Sequence, residues 1–311
     1  MSKIITVFGA TGNQGGSVID SILSDTALAS EFTIRGVTRD TTKPAAKALA
    51  DRGVQVVSAD MSSPSSLAAV VSGAHTVFLV TNYWDAAAGA TSHGPGVEEL
   101  TQGKAVVDAA KAAGVQHLIF SSLLNITELT NGRLTHLKHF DGKAQIEQYA
   151  RDSGVPSTFV LAGFFMSNFF SALRKGDDGS YTMALPVNCD KAQLPVFDTP
   201  ADMGKFAKAA IKHFPEYTGK RIYAATEYMS PNEVVAQFTQ VTGKPAKAIQ
   251  VPDETYKSFL PAPIAQEMLE NFKLLEEPGY YGGVDLKESL SLLDEKPVTL
   301  KEWLVKTQEK W

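Results

Sequence analysis

The sequence predicts an α/β fold in which a doubly wound parallel sheet is followed by a smaller, mostly helical C-terminal lobe. Three observations support this prediction. Short apolar runs alternate with helical stretches through the first half of the chain, glycines stand where those helices end, and a glycine-rich turn follows the first apolar run. Such alternation is typical of a parallel sheet with helices on both faces.

The apolar runs are the predicted strands, and they lie at residues 3–8, 32–37, 54–57, 75–80, 117–122 and 157–162. Helices are expected between them, near residues 13–24, 42–52, 64–72, 97–113 and 139–152. Gly53, Gly73, Gly114 and Gly154 each follow a predicted helix and precede a predicted strand. Helices often end in a left-handed residue, which glycine adopts without steric cost, so these positions support the fold.

The second half of the chain has a less regular pattern. Residues 176–186 predict a turn and an extended segment, and residues 221–225 predict a strand. Residues 194–214 predict a strand and then a helix that Thr199 caps, with Pro200 at its first position.

Charge and composition exclude several classes of protein. The net charge is −5 and the pI is near 5.7, which argues against direct binding to the phosphate backbone of a nucleic acid. No apolar run approaches the length of a membrane span, and the N-terminal sequence enters a strand at once, so neither a span nor a signal peptide is expected. The single cysteine, Cys189, suits a reducing compartment and is expected to be a structural side chain.

The glycine-rich turn has the spacing G-x-x-G-x-x-G, with Gly9, Gly12 and Gly15 between the first strand and the first helix. A tight turn, close approach of a pyrophosphate and close packing of helix on strand each require glycine. The N-terminus of the helix then offers free N–H groups to phosphates. This arrangement predicts a dinucleotide-binding Rossmann fold.

The end of the second strand indicates which dinucleotide is bound. Arg39 and Lys43 offer a donor fork and a second positive charge, which suit the 2′-phosphate of NADP(H). In the alternative interpretation Asp40 binds the ribose of NAD(H) and Arg39 is merely solvated. Asp60 and Met61, after the third strand, are expected beside the adenine; Asp60 could be simply the cap of the helix at Pro64, and the two roles can coexist.

The stretches FGATGNQGG, GVTRD, TNYW (81–84), QGK (102–104) and HFDGKAQIEQY (139–149) resemble the NmrA-like family of atypical short-chain dehydrogenase/reductases. The resemblance implies pyrophosphate contacts at Gly12, Asn13 and Gln14, a 2′-phosphate contact at Arg39, and further cofactor contacts at Thr81, Asn82, Tyr83 and Lys143. The resemblance also implies a redox sensor that exchanges protein partners as the NADPH/NADP ratio changes, and in the fungal branch of the family such a protein restrains a GATA-type transcription factor. Related isoflavone reductases are enzymes with a lysine 11 residues before a glycine, as Lys143 precedes Gly154.

A catalytic centre is less evident, because reduction of a carbonyl needs a proton donor and no Tyr-x-x-x-Lys motif occurs. His139 stands where the tyrosine would be, four residues before Lys143. A nearby lysine charge would weaken His139 as a donor, so it is alternatively a cleft-lining side chain. Lys143 needs only its charge to hold the nicotinamide ribose. A metal site at His136 and His139 lacks further ligands.

The remaining candidates lie after the fifth and sixth strands. Ser121 and Ser122 stand where such enzymes bind substrate, and Phe164, Phe165 and Asn168 either wall the nicotinamide pocket or pack between the lobes. Residues 93–100 and 125–136 are expected to be mobile loops at the cleft. The predicted cofactor-binding residues are Gly9, Thr11, Gly12, Asn13, Gln14, Gly15, Arg39, Lys43, Asp60, Met61, Thr81, Asn82, Tyr83, Ser121, Lys143, Phe164 and Asn168.

These features predict an NADP(H)-binding Rossmann domain at residues 1–165 and a smaller substrate or partner lobe at residues 166–311, with segments near residues 193–225 returning to the sheet. The first functional hypothesis is a cytoplasmic redox sensor with little turnover that reports cofactor state to a protein partner. The alternative is an NADPH-dependent reductase of a small carbonyl, quinone or enone. Nuclear entry and a homodimer stay open, and direct DNA binding is disfavoured.

Overall fold

A seven-stranded sheet forms the centre of the computed structural model, which describes residues 2–84 and 95–311. Its strands are β1 (Lys3–Val7), β2 (Phe32–Thr38), β3 (Gln55–Ser58), β4 (Thr76–Leu79), β5 (His117–Ser122), β6 (Ser157–Ala162) and β11 (Arg221–Ala224). Their order is β11-β6-β5-β4-β1-β2-β3, and all neighbouring pairs are parallel. The sheet has a Rossmann-type α/β topology.

Strand β5 shows why these strands are continuous apolar runs in the sequence. All of its residues are buried. Phe120 packs into the core on one face of the sheet, and Ile119 packs into the core on the other. A central strand of a parallel sheet is covered on both faces, so it has no polar face to alternate with its apolar one.

Helices cover both faces of the sheet. Those of the first half are α1 (Asn13–Ser24), α2 (Thr26–Glu31), α3 (Pro44–Ala50), α4 (Pro64–Val71), α5 (Pro95–Ala112), α6 (Ile126–Leu129) and α7 (Lys138–Ser153). Helices α4, α5 and α7 contribute to one core, whereas α1 and a later helix, α9 (Thr199–Lys212), contribute to the other.

Two small sheets and several helices complete the C-terminal part. Strands β7 (Phe164–Phe165), β10 (Leu194–Phe197) and β12 (Glu227–Met229) form one sheet, and β8 (Leu173–Lys175), β9 (Tyr181–Leu185) and β13 (Ala246–Gln250) form the other. The helices are α8 (Phe169–Ala172), α9, α10 (Pro231–Thr242), α11 (Asp253–Ser258), α12 (Ala262–Lys273), α13 (Lys287–Ser291) and α14 (Leu300–Lys306), with 3₁₀ turns at Met166–Asn168 and Gln308–Lys310. The predicted division at residue 165 stays a prediction.

The predicted strands and helices of the first half are confirmed, with small differences at their ends. Gly53, Gly73, Gly114 and Gly154 all have φ between 68° and 86°, as expected for left-handed residues at helix ends. The side chain of Cys189 is buried, and burial raises the pKa of its thiol. Among the described residues, no helix is both long and apolar enough to cross a membrane.

Three local predictions were wrong. Asp198, and not Thr199, is the N-cap of α9, because Asp198 keeps an extended backbone and Thr199 is already helical. Residues 95–100 belong to α5 and are not a loop, whereas residues 93 and 94 lie outside the described residues. Part of 125–136 is the short helix α6, which the side chain of Asn125 caps.

The contact between α1 and α9 is close enough to require glycine at residue 204. A Cβ atom there would lie 2.0 Å from the backbone oxygen of Ser17, and the amide of Gly204 donates to Ser17 Oγ at 2.9 Å. We expect Gly204→Ala to lower the free energy of unfolding by about 1–3 kcal/mol or more, since the helices must move apart. Gly16→Ala is the matched control, because its Cβ would meet only Ala10 O at 3.6 Å. Equal chemical-denaturation midpoints for the two variants would contradict this prediction.

Candidate functional site

A cavity of about 1220 Å³ opens at the carboxyl ends of the sheet strands. Every predicted cofactor-binding residue lines it, as do His139, Ser122 and Phe165. One end is formed by the glycine-rich turn and the residues after β2 and β3, and the other by residues of the C-terminal lobe. The structure therefore brings the predicted site residues together in one continuous space.

The glycine-rich turn is held rigidly against the sheet. The amide of Phe8 donates to Phe78 O and that of Ala10 to Val37 O, so both neighbouring strands fix the turn. Gly9 has φ +64°, and the amide of Gly12, the N-cap of α1, donates to its carbonyl at 2.9 Å. At Gly15 a Cβ atom would lie 2.3 Å from Gly9 O, so only glycine lets the helix start here.

Two buried polar atoms at the cavity have no hydrogen-bond partner among the described residues. They are Gln14 Oε1, in the first turn of α1, and the hydroxyl of Thr199, which begins α9 and is 3% exposed. Helices α1 and α9 begin side by side, so two helix N-termini lie next to the cavity. Unpaired buried polar groups are costly and are normally satisfied by a ligand or by water. A dinucleotide, with its phosphates and carboxamide, fits this donor and acceptor set.

The residues after β2 favour a 2′-phosphate over a bare ribose. Arg39 and Lys43 are both exposed at the cavity wall. Asp40 Oδ1 instead accepts the amide of Thr42 at 2.9 Å and its hydroxyl at 2.6 Å, and these bonds lower the pKa of the carboxyl group. Asp40 therefore uses its Oδ1 within its own turn, and this weakens the alternative in which its carboxylate binds the ribose.

Asp60 and Met61 border the cavity after β3. Asp60 Oδ1 accepts the amide of Ser62 at 2.8 Å, whereas the N-cap of α4 is Ser63. The alternative role of Asp60 as the helix cap is therefore wrong, and it shapes the loop.

Lys143 makes an ion pair that the sequence did not predict. Its Nζ donates to Glu99, to Thr81 O at 3.1 Å and to Thr81 Oγ1 at 2.9 Å, and Thr81 Oγ1 donates to Glu99 Oε1 at 2.7 Å. The Glu99 side chain is completely buried and that of Lys143 is 13% exposed. An ammonium group has three donors, so all those of Lys143 are used within the protein.

His139 is paired with a carboxylate from the C-terminal lobe. Its Nδ1 lies 2.5 Å from Glu267 Oε1, and its backbone amide donates to the same oxygen at 2.9 Å. The hydroxyl of Tyr83 donates to Glu267 Oε2 at 3.1 Å. Burial tends to raise the pKa of Glu267, but the hydrogen bonds from His139 outweigh it and the pKa is lowered. Burial and the Glu267 charge raise the pKa of Tyr83 well above its usual value.

The two serines that end β5 have different surroundings. Ser122 Oγ donates to the buried Glu147 Oε2 at 2.7 Å, and Glu147 also pairs with Arg151 and Arg221. Ser122 is thus committed to a structural network. Ser121 is buried and lines the cavity, so it stays the candidate for ligand contact.

The end of the cavity formed by the C-terminal lobe, called the inner end in contrast to the outer end at the glycine-rich turn, is largely apolar, although Arg174 and Asn271 also line it. The predicted residues Phe164, Phe165 and Asn168 line it. The lobe adds side chains that sequence reasoning missed, namely Tyr256, Phe259, Leu260, Ile264, Met268, Asn271, Phe272 and Tyr280. The apolar spacing within residues 262–273 indicates a buried helix face, but no local signal shows that this face borders a ligand cavity.

His136 repeats the pairing of His139 outside the cavity. Its Nδ1 lies 2.5 Å from Glu270 Oε1, and its side chain is 56% exposed. Each histidine is therefore hydrogen-bonded to a glutamate of α12. Among residues 2–84 and 95–311, no three histidine, cysteine or acidic side chains are grouped so that they could hold a metal ion.

Comparisons with known proteins place these features in context. The sequence profile of the NmrA-like family matches residues 1–304. The chain is 32% identical to the NmrA-like family domain-containing oxidoreductase ptmS of Penicillium ochrochloron over 83% of this chain and 78% of the relative. It is 34% identical to the NmrA-like family domain-containing oxidoreductase lnaB of Aspergillus flavus, over 79% of this chain and 75% of that relative. One similar solved structure is that of NmrA, a negative transcriptional regulator, in complex with NADP. It superposes on this chain with a TM-score of 0.82 and is 24% identical in sequence. The match covers 99% of this chain and 96% of that one.

Proposed function

The chain belongs to the NmrA-like family, and we propose that it is an NADPH-dependent reductase of a planar, largely apolar carbonyl, quinone or enone. The observation that carries the proposal is the continuous cavity, which joins a dinucleotide-binding end to an apolar end with His139 in its wall. Relatives such as ptmS and lnaB are named oxidoreductases, which supports the reductase alternative over a protein without turnover.

NADP(H) binds along the outer part of the cavity. The glycine-rich turn and the start of α1 hold the pyrophosphate, and Arg39 with Lys43 holds the 2′-phosphate. A dinucleotide bound there would offer hydrogen-bond partners to the unpaired polar atoms of Gln14 and Thr199. The cofactor supplies a hydride, so that the substrate gains two electrons when a proton is also delivered to its oxygen.

His139 supplies that proton. Its Nδ1 is taken by Glu267, and Nε2 has no hydrogen bond within the described parts of the chain, so it is the nitrogen left to face a ligand. Tyr83 is a poor donor, because its pKa is raised and its hydroxyl is held by Glu267. Lys143 is disfavoured as the acid, since its hydrogens are held by Thr81 and Glu99. An imidazolium is a suitable acid near neutral pH.

The proposal is tested by turnover. Purified protein with saturating NADPH is assayed against quinones, enones, aromatic aldehydes and, as a polar control, small sugar aldehydes. We expect NADPH oxidation with apolar acceptors and none with the sugars, because the inner cavity wall is aromatic. Tight NADPH binding without oxidation by any acceptor would overturn the reductase proposal.

Arg39 is expected to select the cofactor. Arg39→Ala should lower the affinity for NADP(H) by about 10–100-fold, since hydrogen bonds to a charged group contribute about 1.5–3 kcal/mol to binding. The affinity for NAD(H), which lacks the 2′-phosphate, should change little. Calorimetry with both cofactors measures the two affinities, and equal losses would contradict the assignment. Asp40→Ala tests the alternative: if Asp40 bound the ribose of NAD(H), its loss would weaken NAD(H) binding, whereas a carboxylate that is bonded within its own turn predicts no such loss.

A redox-sensor role is the second candidate, and the pairing of Lys143 with Glu99 favours it. Lys143 lines the cavity, and Glu99 lies near the start of α5. A cofactor that takes hydrogen bonds from Lys143 loosens its hold on Glu99 and so on α5, which a protein partner can recognise. Amide hydrogen exchange in α5 should then differ between the free, NADP⁺ and NADPH forms. Identical exchange in all three forms would exclude this route and, with it, recognition of α5 by a protein partner.

A further inference from the structure

The contact between His139 and Glu267 joins two parts of the chain. His139 lies in the first turn of α7, and Glu267 is carried by α12 of the C-terminal lobe, 128 residues later. Both side chains are mostly buried, with 14% and 9% exposed. One carboxylate oxygen binds both the ring Nδ1 and the backbone amide of His139, so the position of the ring and that of the helix start are fixed together.

This geometry permits one neutral form of the ring. An ionised carboxylate accepts hydrogen bonds and donates none, so the proton of neutral His139 must be on Nδ1. The lowered pKa of Glu267 keeps it ionised at neutral pH. Nε2 then carries a lone pair in the neutral ring and a proton in the imidazolium, as a group that exchanges a proton with a ligand requires.

We infer that Glu267 is a positioning residue, which holds His139 in the Nδ1–H tautomer with Nε2 toward the cavity and stabilises its imidazolium. The catalytic role of Glu267 rests on the proposed reductase function, whereas the tautomer of His139 can be measured without any turnover. The same arrangement of carboxylate and imidazole orients general acids and bases in unrelated enzymes.

Within residues 2–84 and 95–311, Glu267 is the main charge that acts on His139. Tyr83, which follows β4, shares Glu267 and is neutral at ordinary pH because its pKa is raised. Lys143, one turn further along α7, is neutralised by Glu99. The other ring contacts of His139 are aromatic, with Trp84 at 5.6 Å and Phe140 at 4.9 Å between ring centroids. Since the counter-charge comes from α12, the lobe that lines the apolar end of the cavity also completes the acid.

The tautomer is tested in the cofactor-free protein by NMR of the imidazole nitrogens, with isotope-labelled histidine. His139 in the wild-type protein should show a protonated Nδ1 and an unprotonated Nε2 once neutral. In Glu267→Gln a second tautomer should appear, because an amide offers a donor as well as an acceptor. The same single tautomer in both proteins, or Nε2–H in the wild type, would overturn the inference.

Glu270→Gln is the matched control. Glu270 lies on α12, as Glu267 does. Its carboxylate accepts the backbone amide of His136 at 2.7 Å and lies 2.5 Å from His136 Nδ1, but His136 does not line the cavity. If the glutamates serve only to attach α12 to α7, both variants should lose similar stability and neither should alter turnover beyond that loss. The inference predicts that only Glu267→Gln changes the pH dependence of the reaction.

With an active acceptor, the pH profile supplies a second readout. The fall of kcat at high pH should move to lower pH in Glu267→Gln, because a charge of opposite sign beside the imidazolium is removed. An unmoved profile would refute the positioning role while leaving the reductase intact. If no acceptor is ever reduced, the proposed function fails and the NMR result still decides whether Glu267 sets the tautomer.

Discussion

Replacing His139 by glutamine is expected to lower kcat by about 10²–10⁴-fold, the usual contribution of a general acid. The glutamine amide can still donate a hydrogen bond to Glu267, and the backbone amide of residue 139 keeps its own, so the start of α7 should keep its place. The affinity for NADPH should change little, because the dinucleotide-binding end of the cavity is formed by the glycine-rich turn and by Arg39. A loss in kcat without a loss in cofactor affinity is the signature of a group that acts in the transition state.

The control for this variant is His136→Gln. His136 has the same kind of glutamate partner on α12 but does not line the cavity, so its replacement should leave kcat near the wild-type value. The wild-type protein, His139→Gln and His136→Gln are compared by their steady-state rates with saturating NADPH and the same acceptor. Comparable rates for His139→Gln and the wild type would contradict the role of His139 as proton donor.

Replacing Glu99 by alanine is expected to lower the free energy of unfolding by about 3–5 kcal/mol. Removing one partner of a buried ion pair leaves the other charge without compensation, and Lys143 is only 13% exposed. Glu99 also accepts the hydroxyl of Thr81, so a second buried donor is left unpaired. Chemical denaturation of the variant and the wild-type protein measures the effect.

The double variant Glu99→Leu/Lys143→Met is the control for the ion pair. It removes both charges and fills the space with apolar side chains, which is often neutral or stabilising. It should therefore be more stable than Glu99→Ala. If the double variant is as unstable as Glu99→Ala, the stability loss comes from the removed Glu99 side chain and not from the uncompensated charge of Lys143.

Local features of the sequence were sufficient for the fold and for the outer end of the cavity. Gly9, Gly12 and Gly15 follow a strand and begin a helix, and each requirement for glycine is satisfied within a few residues of chain. Gly53 and its three counterparts terminate helices for reasons that are equally local. Arg39 was expected at the cavity because the end of β2 faces the same edge of the sheet as the glycine-rich turn.

The partners of the key ionisable groups could not be predicted in this way. Glu99 meets Lys143 across 44 residues, and Glu267 meets His139 across 128. Neither glutamate stands in a motif, since tertiary packing alone brings them to their partners. Each of the two cationic groups has its own carboxylate, Glu99 for Lys143 and Glu267 for His139, which the sequence did not indicate. The carboxylate of Glu267 beside its ring makes His139 a candidate proton donor and not only a cleft-lining side chain.

The central claim is that NADPH reduces a substrate within this cavity, and isotope transfer tests it most directly. Wild-type protein is incubated with an active acceptor and NADPH that carries deuterium at its transferable position, and the product is analysed by mass spectrometry and NMR. With an aldehyde or ketone as the acceptor, the reductase proposal predicts one deuterium on the former carbonyl carbon and an exchangeable proton from solvent on its oxygen; a quinone is not used here, because its hydroquinone product retains no hydride on carbon. NADPH that is bound but never consumed, or a product without deuterium, would contradict the claim.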